Sequence, residues 1–145
     1  DEPTTALDAT VQIQILLLLR ELQRELGLSV IFVTHDIGAA VEVADRMAVM
    51  YAGRIVEMGP ARELIHAPRH PYTQALLASR AHGALDKGSR LRTIPGAPPD
   101  LSALPPGCAF APRCAKATAS CTQIKPEAVI VGPQHQARCL HTEQT

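Results

Sequence analysis

The chain has 145 residues, of which 46% are hydrophobic and 19% charged, and its 14 basic residues balance its 14 acidic ones. This composition supports one or two folded domains and excludes wholesale disorder. A net charge of zero and an aromatic content of 3% provide neither a basic surface nor a stacking platform, so no nucleic-acid partner is expected. The apolar run ILLLL, residues 15–19, is far shorter than the roughly 20 residues of a membrane span. Any membrane role is therefore expected to come through a partner.

The first third of the chain predicts two helices around one strand. Apolar residues at helical spacing predict a helix over residues 8–26, capped by its first residue and stopped by Gly27. The continuous β-branched and apolar run LSVIFVTH, residues 28–35, predicts a strand covered on both faces. An Asp then caps a predicted helix over residues 36–44.

The middle of the chain predicts a hairpin and two further helices. The segments RMAVMY (46–51) and RIVEMG (54–59) are separated by an Ala-Gly pair, which indicates two strands joined by a tight turn. A short helix over residues 61–66 follows Pro60. The stretch HPYTQALLAS, residues 70–79, predicts a helix with a proline in its first turn.

The last part of the chain has a different composition. Eight of the 12 prolines lie between Ile94 and Pro133, and all four cysteines lie beyond residue 94. Such a segment has little predicted regular structure and is expected to need a staple to keep a fixed shape. We predict two domains, residues 1–66 and residues 67–145.

Three residues in the first part could serve phosphoryl transfer. If a strand ended at Asp1 parallel to residues 28–35, Asp1, Glu2 and His35 would meet at the carboxyl ends of neighbouring strands, where open α/β sheets bind ligands. One carboxylate could hold Mg²⁺, the other could polarise a water, and the imidazole could donate to a phosphate oxygen. The residues by themselves equally suit a solvated acidic terminus and a histidine beside a helix cap.

These residues resemble a known family. The stretch DEPTTALD is similar to the Walker B carboxylates and D-loop of ABC transporter ATPases, and VTHD, residues 33–36, is similar to their switch-histidine loop. The resemblance implies that Asp1 binds Mg-ATP, that Glu2 is the general base for water and that His35 senses the γ-phosphate. It also implies a D-loop that reaches a second ATPase subunit in a homo- or heterodimer, formed by Thr5, Ala6, Leu7 and Asp8.

The 145 residues lack other motifs of that family. A P-loop of the form G-x-x-x-x-G-K-[ST], which cradles phosphate, is absent, as are the Gln loop and the Ser-Gly-Gly signature. We therefore expect a C-terminal fragment of a P-loop ATPase of the ABC type, with an α/β fold. The isolated chain is expected to be inactive. ATP hydrolysis is expected only from the full-length protein.

The C-terminal part narrows the resemblance. The stretches HPYTQALL, IPGAPPDL and PPGCAFAPRC are similar to the extension on ATPases of oligopeptide, dipeptide and nickel importers. This resemblance implies an ATPase subunit that powers peptide import and binds transmembrane permease subunits at the cytoplasmic face of the membrane. The transported solute contacts the permease and the binding protein, so these residues do not distinguish a peptide from nickel.

The cysteines are spaced C-x5-C-x6-C-x17-C, and they are Cys108, Cys114, Cys121 and Cys139. Structural zinc sites usually contain closely spaced C-x2-4-C pairs, and disulfides are disfavoured in a reducing cytosol. Four thiolates on an irregular segment suit an iron–sulfur cluster, and the family resemblance also implies a [4Fe-4S] cluster. Zinc and unliganded thiols stay open as alternatives. His135 and His141 flank Cys139 and could substitute as ligands, but they are expected to be exposed tail residues.

Two other functions compete with the importer ATPase. The first is a non-catalytic binding module, in which the Cys-rich part docks a partner and the Walker B stretch is vestigial. The second is an independent metal-dependent hydrolase that uses Asp1, Glu2 and His35. This second reading is weak because no segment of the chain would bind its substrate.

Overall fold

The computed structural model describes residues 7–81 and 93–142, which fall into two compact units, one ending at Asp45 and one beginning at Arg46. The structure contains α-helices as well as a small antiparallel sheet, so the fold is mixed α/β. The predicted domain boundary after residue 66 stays a prediction. In the structure, strands from both sides of that position share one sheet.

Two helices form the first unit, and both begin at a predicted cap. Helix α1 (Ala9–Leu26) starts after Asp8, whose carboxylate accepts hydrogen bonds from two backbone amides at 3.0 Å, and it ends at Gly27 with φ of 64°. Helix α2 (Ile37–Val43) starts after Asp36, whose Oδ1 accepts from the next turn in the same way. Both helix predictions are confirmed. Each helix begins at its cap because the side chain there satisfies amides that the first turn leaves unbonded.

Side chains from α1 reach the second helix of this unit. Gln12 Nε2 donates to Asp36 Oδ2 at 3.4 Å, and Arg20 Nη1 donates to the Glu42 carbonyl at 2.6 Å. Leu16 is the one large α1 side chain that is fully buried among the residues described. The helix pair therefore packs through a narrow contact.

The predicted strand at residues 28–35 is wrong for this chain, since these residues form neither helix nor strand. Ile31 is 94% exposed, and Val30 and Val33 are also exposed. A strand exists only when its backbone groups pair with a neighbour, and no described residue pairs with this segment. The apolar sequence is what a covered strand requires, but the covering layers are not among the residues described.

The second unit begins with the predicted hairpin. Strands β1 (Arg46–Tyr51) and β2 (Arg54–Pro60) pair antiparallel, and the two turn residues between them have positive φ values of 48° and 74°. Such a turn matches the right-handed twist of the strands that it joins. Helices α3 (Ala61–His66) and α4 (Pro71–Ala81) follow as the sequence predicts.

The Cys- and Pro-rich segment contributes more regular structure than the sequence indicates. It contains a 3-10 turn (Ala111–Arg113), helix α5 (Ala119–Gln123) and strands β3 (Val129–Gly132) and β4 (His135–Ala137). Strand β4 pairs with β2, which gives a four-stranded antiparallel sheet of order β1-β2-β4-β3. The strands β3 and β4 are too short to show a period of two, so only the pairing with β2 identifies them.

An aromatic cluster forms the core of the second unit. Val49, Tyr51, Val56, Leu64 and Phe110 are buried together. The ring of Tyr51 lies 5.2 Å from that of Phe110 and 4.6 Å from that of Tyr72, in tilted or edge-to-face geometry that adds to the burial energy. Because Phe110 lies in the Cys-rich segment, that segment is anchored to the hairpin by ordinary apolar packing. The chain has two tyrosines and no tryptophan, so tyrosine fluorescence reports on this unit alone.

Within the described parts of the chain, no helix is both long enough and apolar enough to cross a membrane.

Candidate functional site

The structure describes only some of the predicted ATPase residues of the first unit. Asp1, Glu2, Thr5 and Ala6 lie outside the described residues, whereas Leu7 and Asp8 lie just inside them. His35 is exposed in the segment before α2, and the Asp8 carboxylate caps α1. Their roles in nucleotide chemistry stay predictions.

The four cysteines, 31 residues apart at the extremes, come together around one small cavity. Cys108, Cys114, Cys121 and Cys139 all line it, and its free volume is about 20 Å³. We call it the thiol cavity. All four are free cysteines, Cys121 buried and the others half-buried. The predicted grouping of these residues is therefore a property of the fold, although the sequence spacing alone did not require it.

A close backbone contact brings two of the thiols together. The Cys108 amide donates to the Cys121 carbonyl at 2.8 Å, which holds the residues before the 3-10 turn against α5. Gly107 makes this approach possible, because a Cβ at that position would lie 2.3 Å from the Cys121 carbonyl oxygen and 2.5 Å from the Thr122 carbonyl carbon. Any larger residue at Gly107 would force the two cysteine-bearing segments apart.

Arg113 holds the turn that precedes Cys114. Its Nε donates to the Pro95 carbonyl at 2.8 Å, its Nη2 to the Ile94 carbonyl at 3.2 Å, and its Nη1 to the Tyr51 hydroxyl at 3.3 Å. One planar guanidinium with five donors thus joins the IPG stretch, the sheet and the cysteine loop. The position of Cys114 at the cavity follows from these bonds.

Three of the four thiols lie in an environment that favours their neutral form. Burial raises the pKa of Cys108, Cys114 and Cys139 above the ordinary thiol value, and nearby backbone amides offset part of that effect. Neutral thiols are poor nucleophiles, so the raised pKa does not favour covalent catalysis by these three residues. The His141 amide donates to Cys139 Sγ at 3.4 Å, and the Thr118 hydroxyl lies 3.4 Å from Cys121 Sγ.

Four convergent thiols are the donor set that an iron–sulfur cluster requires. Within residues 7–81 and 93–142, however, no group of three or more His, Cys, Asp or Glu side chains forms an arrangement that could hold a metal ion. A cavity of about 20 Å³ holds roughly one water, so its walls must move outward to admit a larger group. The residue types fit a Cys₄ centre, and the closed cavity does not contain a preformed ion site.

A buried polar network lies between the sheet and α4, and the sequence did not reveal it. Glu57 on β2 is 1% exposed, and its carboxylate accepts from the amides of Arg69 at 2.6 Å and His70 at 2.9 Å. His135 Nε2 lies 2.7 Å from Glu57 Oε1. His135 is therefore a buried residue of the sheet, and its predicted position in an exposed tail is wrong. The only signal was a Glu within the apolar strand RIVEMG.

His70 is buried next to this network and also lines the thiol cavity. Its Nδ1 accepts the Tyr72 amide hydrogen bond at 3.0 Å, which leaves the proton of the neutral ring on Nε2. Burial lowers the pKa of His70 to about 4, against the smaller raising effects of the Glu57 charge and of a backbone hydrogen bond to Arg138. The folded unit therefore contains a neutral imidazole at pH values where an unfolded histidine is charged.

Stability of the second unit is expected to fall as the pH is lowered from about 6.5 to about 4 because of His70. In that window the unfolded chain binds a proton that the folded chain excludes, which favours unfolding by up to about 3 kcal/mol at the lower end. Urea denaturation followed by tyrosine fluorescence at several pH values measures this dependence.

The matched control for the pH prediction is His70→Asn, whose side-chain oxygen can accept the Tyr72 hydrogen bond but does not titrate. In this variant the pH dependence between 4 and 6.5 is expected to be shallower than in the unsubstituted chain. Equal slopes for the two proteins would show that His70 is not the group responsible.

The chain is similar to proteins of one transporter family over nearly its whole length. The sequence model of the family described as "Oligopeptide/dipeptide transporter, C-terminal region" matches residues 56–121. A peptide import ATP-binding protein of Brucella ovis is 50% identical over 149 residues, and the dipeptide transport ATP-binding protein DppD of Bacillus subtilis is 46% identical over 144 residues. The oligopeptide transport ATP-binding protein OppD of Mycobacterium bovis is 48% identical over 143 residues.

Each of these alignments covers 99% of the chain but only part of the relative: 44% of the Brucella protein, 43% of the Bacillus protein and 23% of the Mycobacterium protein. The similarity includes the segment with the ATPase-like motifs as well as the Cys-rich segment. This joint similarity does not favour the alternative of a separate docking module. The chain therefore belongs to the family of oligopeptide/dipeptide importer ATP-binding proteins and corresponds to a C-terminal part of such a protein.

Proposed function

We propose that this chain is part of an ATP-hydrolysing subunit that powers peptide import across the cytoplasmic membrane. The observation that supports the proposal is an identity of about 50% to a peptide import ATP-binding protein over 99% of the chain. In this proposal the subunit lies on the cytoplasmic face and binds transmembrane permease subunits together with a second ATP-binding subunit. The part from residue 67 onward is the importer-type extension.

The proposed roles of the ATPase residues rest on the motif match. Asp1 would hold Mg²⁺, which neutralises charge on the phosphates when it is bound. Glu2 polarises the attacking water, and His35 donates to the γ-phosphate. Asp8 ends the D-loop next to the partner subunit, and its carboxylate also caps α1.

The test of this function is ATP hydrolysis by the longer protein, assembled with its permease in lipid vesicles. Hydrolysis is expected to rise when a mixture of short peptides and the peptide-binding protein is added. The isolated 145-residue chain, which has no P-loop motif, is expected to bind no ATP in calorimetry. If adding the peptides and the peptide-binding protein does not raise hydrolysis by the full assembly, the proposed import role is refuted.

The proposed cofactor of the extension is a [4Fe-4S] cluster at the thiol cavity. The four thiols that line it would be the ligands. Such a cluster supplies a cross-link between segments, and metal binding then contributes directly to folding free energy. Because the four cysteines are distant in sequence from Asp1, Glu2 and His35, we propose a structural role for the centre.

Anaerobically purified protein is expected to contain about four irons per chain and to absorb near about 400 nm. A Ser substitution at any one of Cys108, Cys114, Cys121 and Cys139 should lower the iron content sharply, since each removes one thiolate ligand. Thr122→Ser, next to Cys121 in sequence, serves as the control and should retain iron. One zinc per chain in place of iron would replace the cluster with a zinc site, and metal-free protein would leave free thiols.

A further inference from the structure

Two of the four cysteines are joined by a direct backbone contact. The Cys108 amide donates to the Cys121 carbonyl at 2.8 Å. In strand pairs, hydrogen-bonded residues have their Cα atoms about 5.5 Å apart, and disulfides span Cα separations of about 4.4–6.8 Å. Among the described residues, the backbone of Cys114 bonds instead within its own turn, to Ala111 and Ala117. Cys108 and Cys121 are therefore the pair whose backbone contact suits a disulfide.

The side chains of this pair share one small space and are held there. Both line the thiol cavity, which holds roughly one water and so offers room for two sulfurs to meet. The Cys108 carbonyl accepts from the Ala111 amide in the turn that carries the buried Phe110, and the Cys121 amide donates to the Thr118 carbonyl, both at 3.0 Å. Reacting groups held at a fixed separation react faster than groups that must search for each other.

We propose that Cys108 and Cys121 form a reversible disulfide when the metal-free chain meets a small-molecule disulfide such as oxidised glutathione. One protein thiolate attacks a sulfur of the small disulfide, and a glutathione thiolate leaves. The other protein thiolate then attacks the mixed disulfide, which forms the Cys108–Cys121 bond and releases a second glutathione. Two protein thiols are oxidised, one small disulfide is reduced to two thiols, and both protons end on glutathione.

The bond makes this part of the extension a redox-sensitive site. Under reducing conditions the exchange runs in reverse and both thiols stay free. An excess of oxidised glutathione drives it forward and ties the turn that carries Phe110 covalently to α5. The inference does not rest on a metal centre. Iron content, measured before chelator is added, decides the cluster separately.

The first test identifies the linked pair by mass spectrometry. Tryptic cleavage after Arg92, Arg113, Lys116 and Arg138 leaves each cysteine on its own peptide, so every pairing has its own mass. The chelator-treated chain is incubated with oxidised glutathione at about pH 8.5, where an ordinary thiol is half ionised, and is then alkylated. The Cys108–Cys121 peptide pair is expected as the main linked product, and dithiothreitol should remove it. A main product that joins any other two cysteines, or unlinked cysteines alone, would overturn the proposal.

The second test changes the backbone contact. Gly107→Ala places a Cβ 2.3 Å from the Cys121 carbonyl oxygen. The two segments must then separate by about 1 Å, which is expected to slow formation of the linked pair about 10- to 100-fold. Gly132→Ala is the matched control, because a Cβ there meets only His135 Cβ, at an ordinary 3.6 Å, and should link at the original rate. Equal rates in the two variants would show that this contact does not set the pairing.

A further set of variants keeps Gly107, so its result does not depend on how Gly107→Ala folds. Cys114→Ser and Cys139→Ser should each still form the Cys108–Cys121 bond. Cys121→Ser should abolish it and leave Cys108 as a glutathione adduct. Loss of the bond in Cys114→Ser or Cys139→Ser would contradict direct pairing, because the bond would then arise by exchange through another cysteine.

Discussion

Glu57→Ala is expected to lower the free energy of unfolding of the second unit by about 3–5 kcal/mol. The substitution removes a carboxylate that is 1% exposed and accepts two backbone amides and contacts His135. It leaves these buried groups without an acceptor, and each unsatisfied donor costs about 1–3 kcal/mol. It also removes the side-chain links from β2 to the turn before α4 and to His135 on β4, so several elements loosen together.

Urea denaturation monitored by tyrosine fluorescence measures the effect, because both tyrosines belong to this unit. Glu127→Ala is the matched control: Glu127 pairs with Arg138 at 3.1 Å, but its side chain is 82% exposed. Exposed ion pairs contribute at most about 1 kcal/mol, so this variant should remain close to the original stability. Similar losses for the two variants would show that the Glu57 network does not hold the unit together.

Glu2→Gln is expected to reduce ATP turnover of the longer protein by at least about 100-fold, the lower end of what general base catalysis contributes. The amide keeps the size and the hydrogen-bonding shape of the carboxylate but cannot accept a proton from the attacking water. ATP binding should persist, because the phosphate-binding loop of the longer protein is unchanged. A fall in kcat with little change in nucleotide affinity therefore separates a catalytic role from a binding role.

The measurement is steady-state hydrolysis by the assembled importer, with nucleotide binding determined separately by calorimetry. Glu25→Gln, an exposed position at the end of α1, makes the same chemical change away from the motif and should retain turnover. If Glu2→Gln hydrolyses ATP as fast as Glu25→Gln, Glu2 is not the general base. The resemblance of DEPTTALD to a Walker B motif would then concern sequence alone.

Local features of the sequence predicted the helices and the hairpin well. Asp8 and Asp36 each cap the helix that follows through amides two or three residues away, so all the information lies within one turn. The turn between β1 and β2 is equally local, with both central residues at positive φ. The motif stretches at both ends of the chain likewise identified the family, because they combine unusual residue types at short, fixed spacings.

Long-range contacts decided the rest, and these do not appear in any short window of sequence. His135 meets Glu57 across 78 positions, and only the pairing of β4 with β2 buries them together. The same pairing turned a segment predicted to be irregular into part of the sheet. Residues 28–35 show the converse, since an apolar run suited to a strand forms none without a partner.

The candidate site likewise depends partly on local sequence and partly on long-range contacts. The sequence by itself determined which candidate ligands are present, namely four thiols on one proline-rich segment. Only the tertiary structure decided that they share one cavity, because the backbone contact of Gly107 with α5 and the bonds of Arg113 fold the segment back on itself. It also diverted Thr118 from helix capping to Cys121, since a hydroxyl bonds to whichever polar atoms the packing brings within reach.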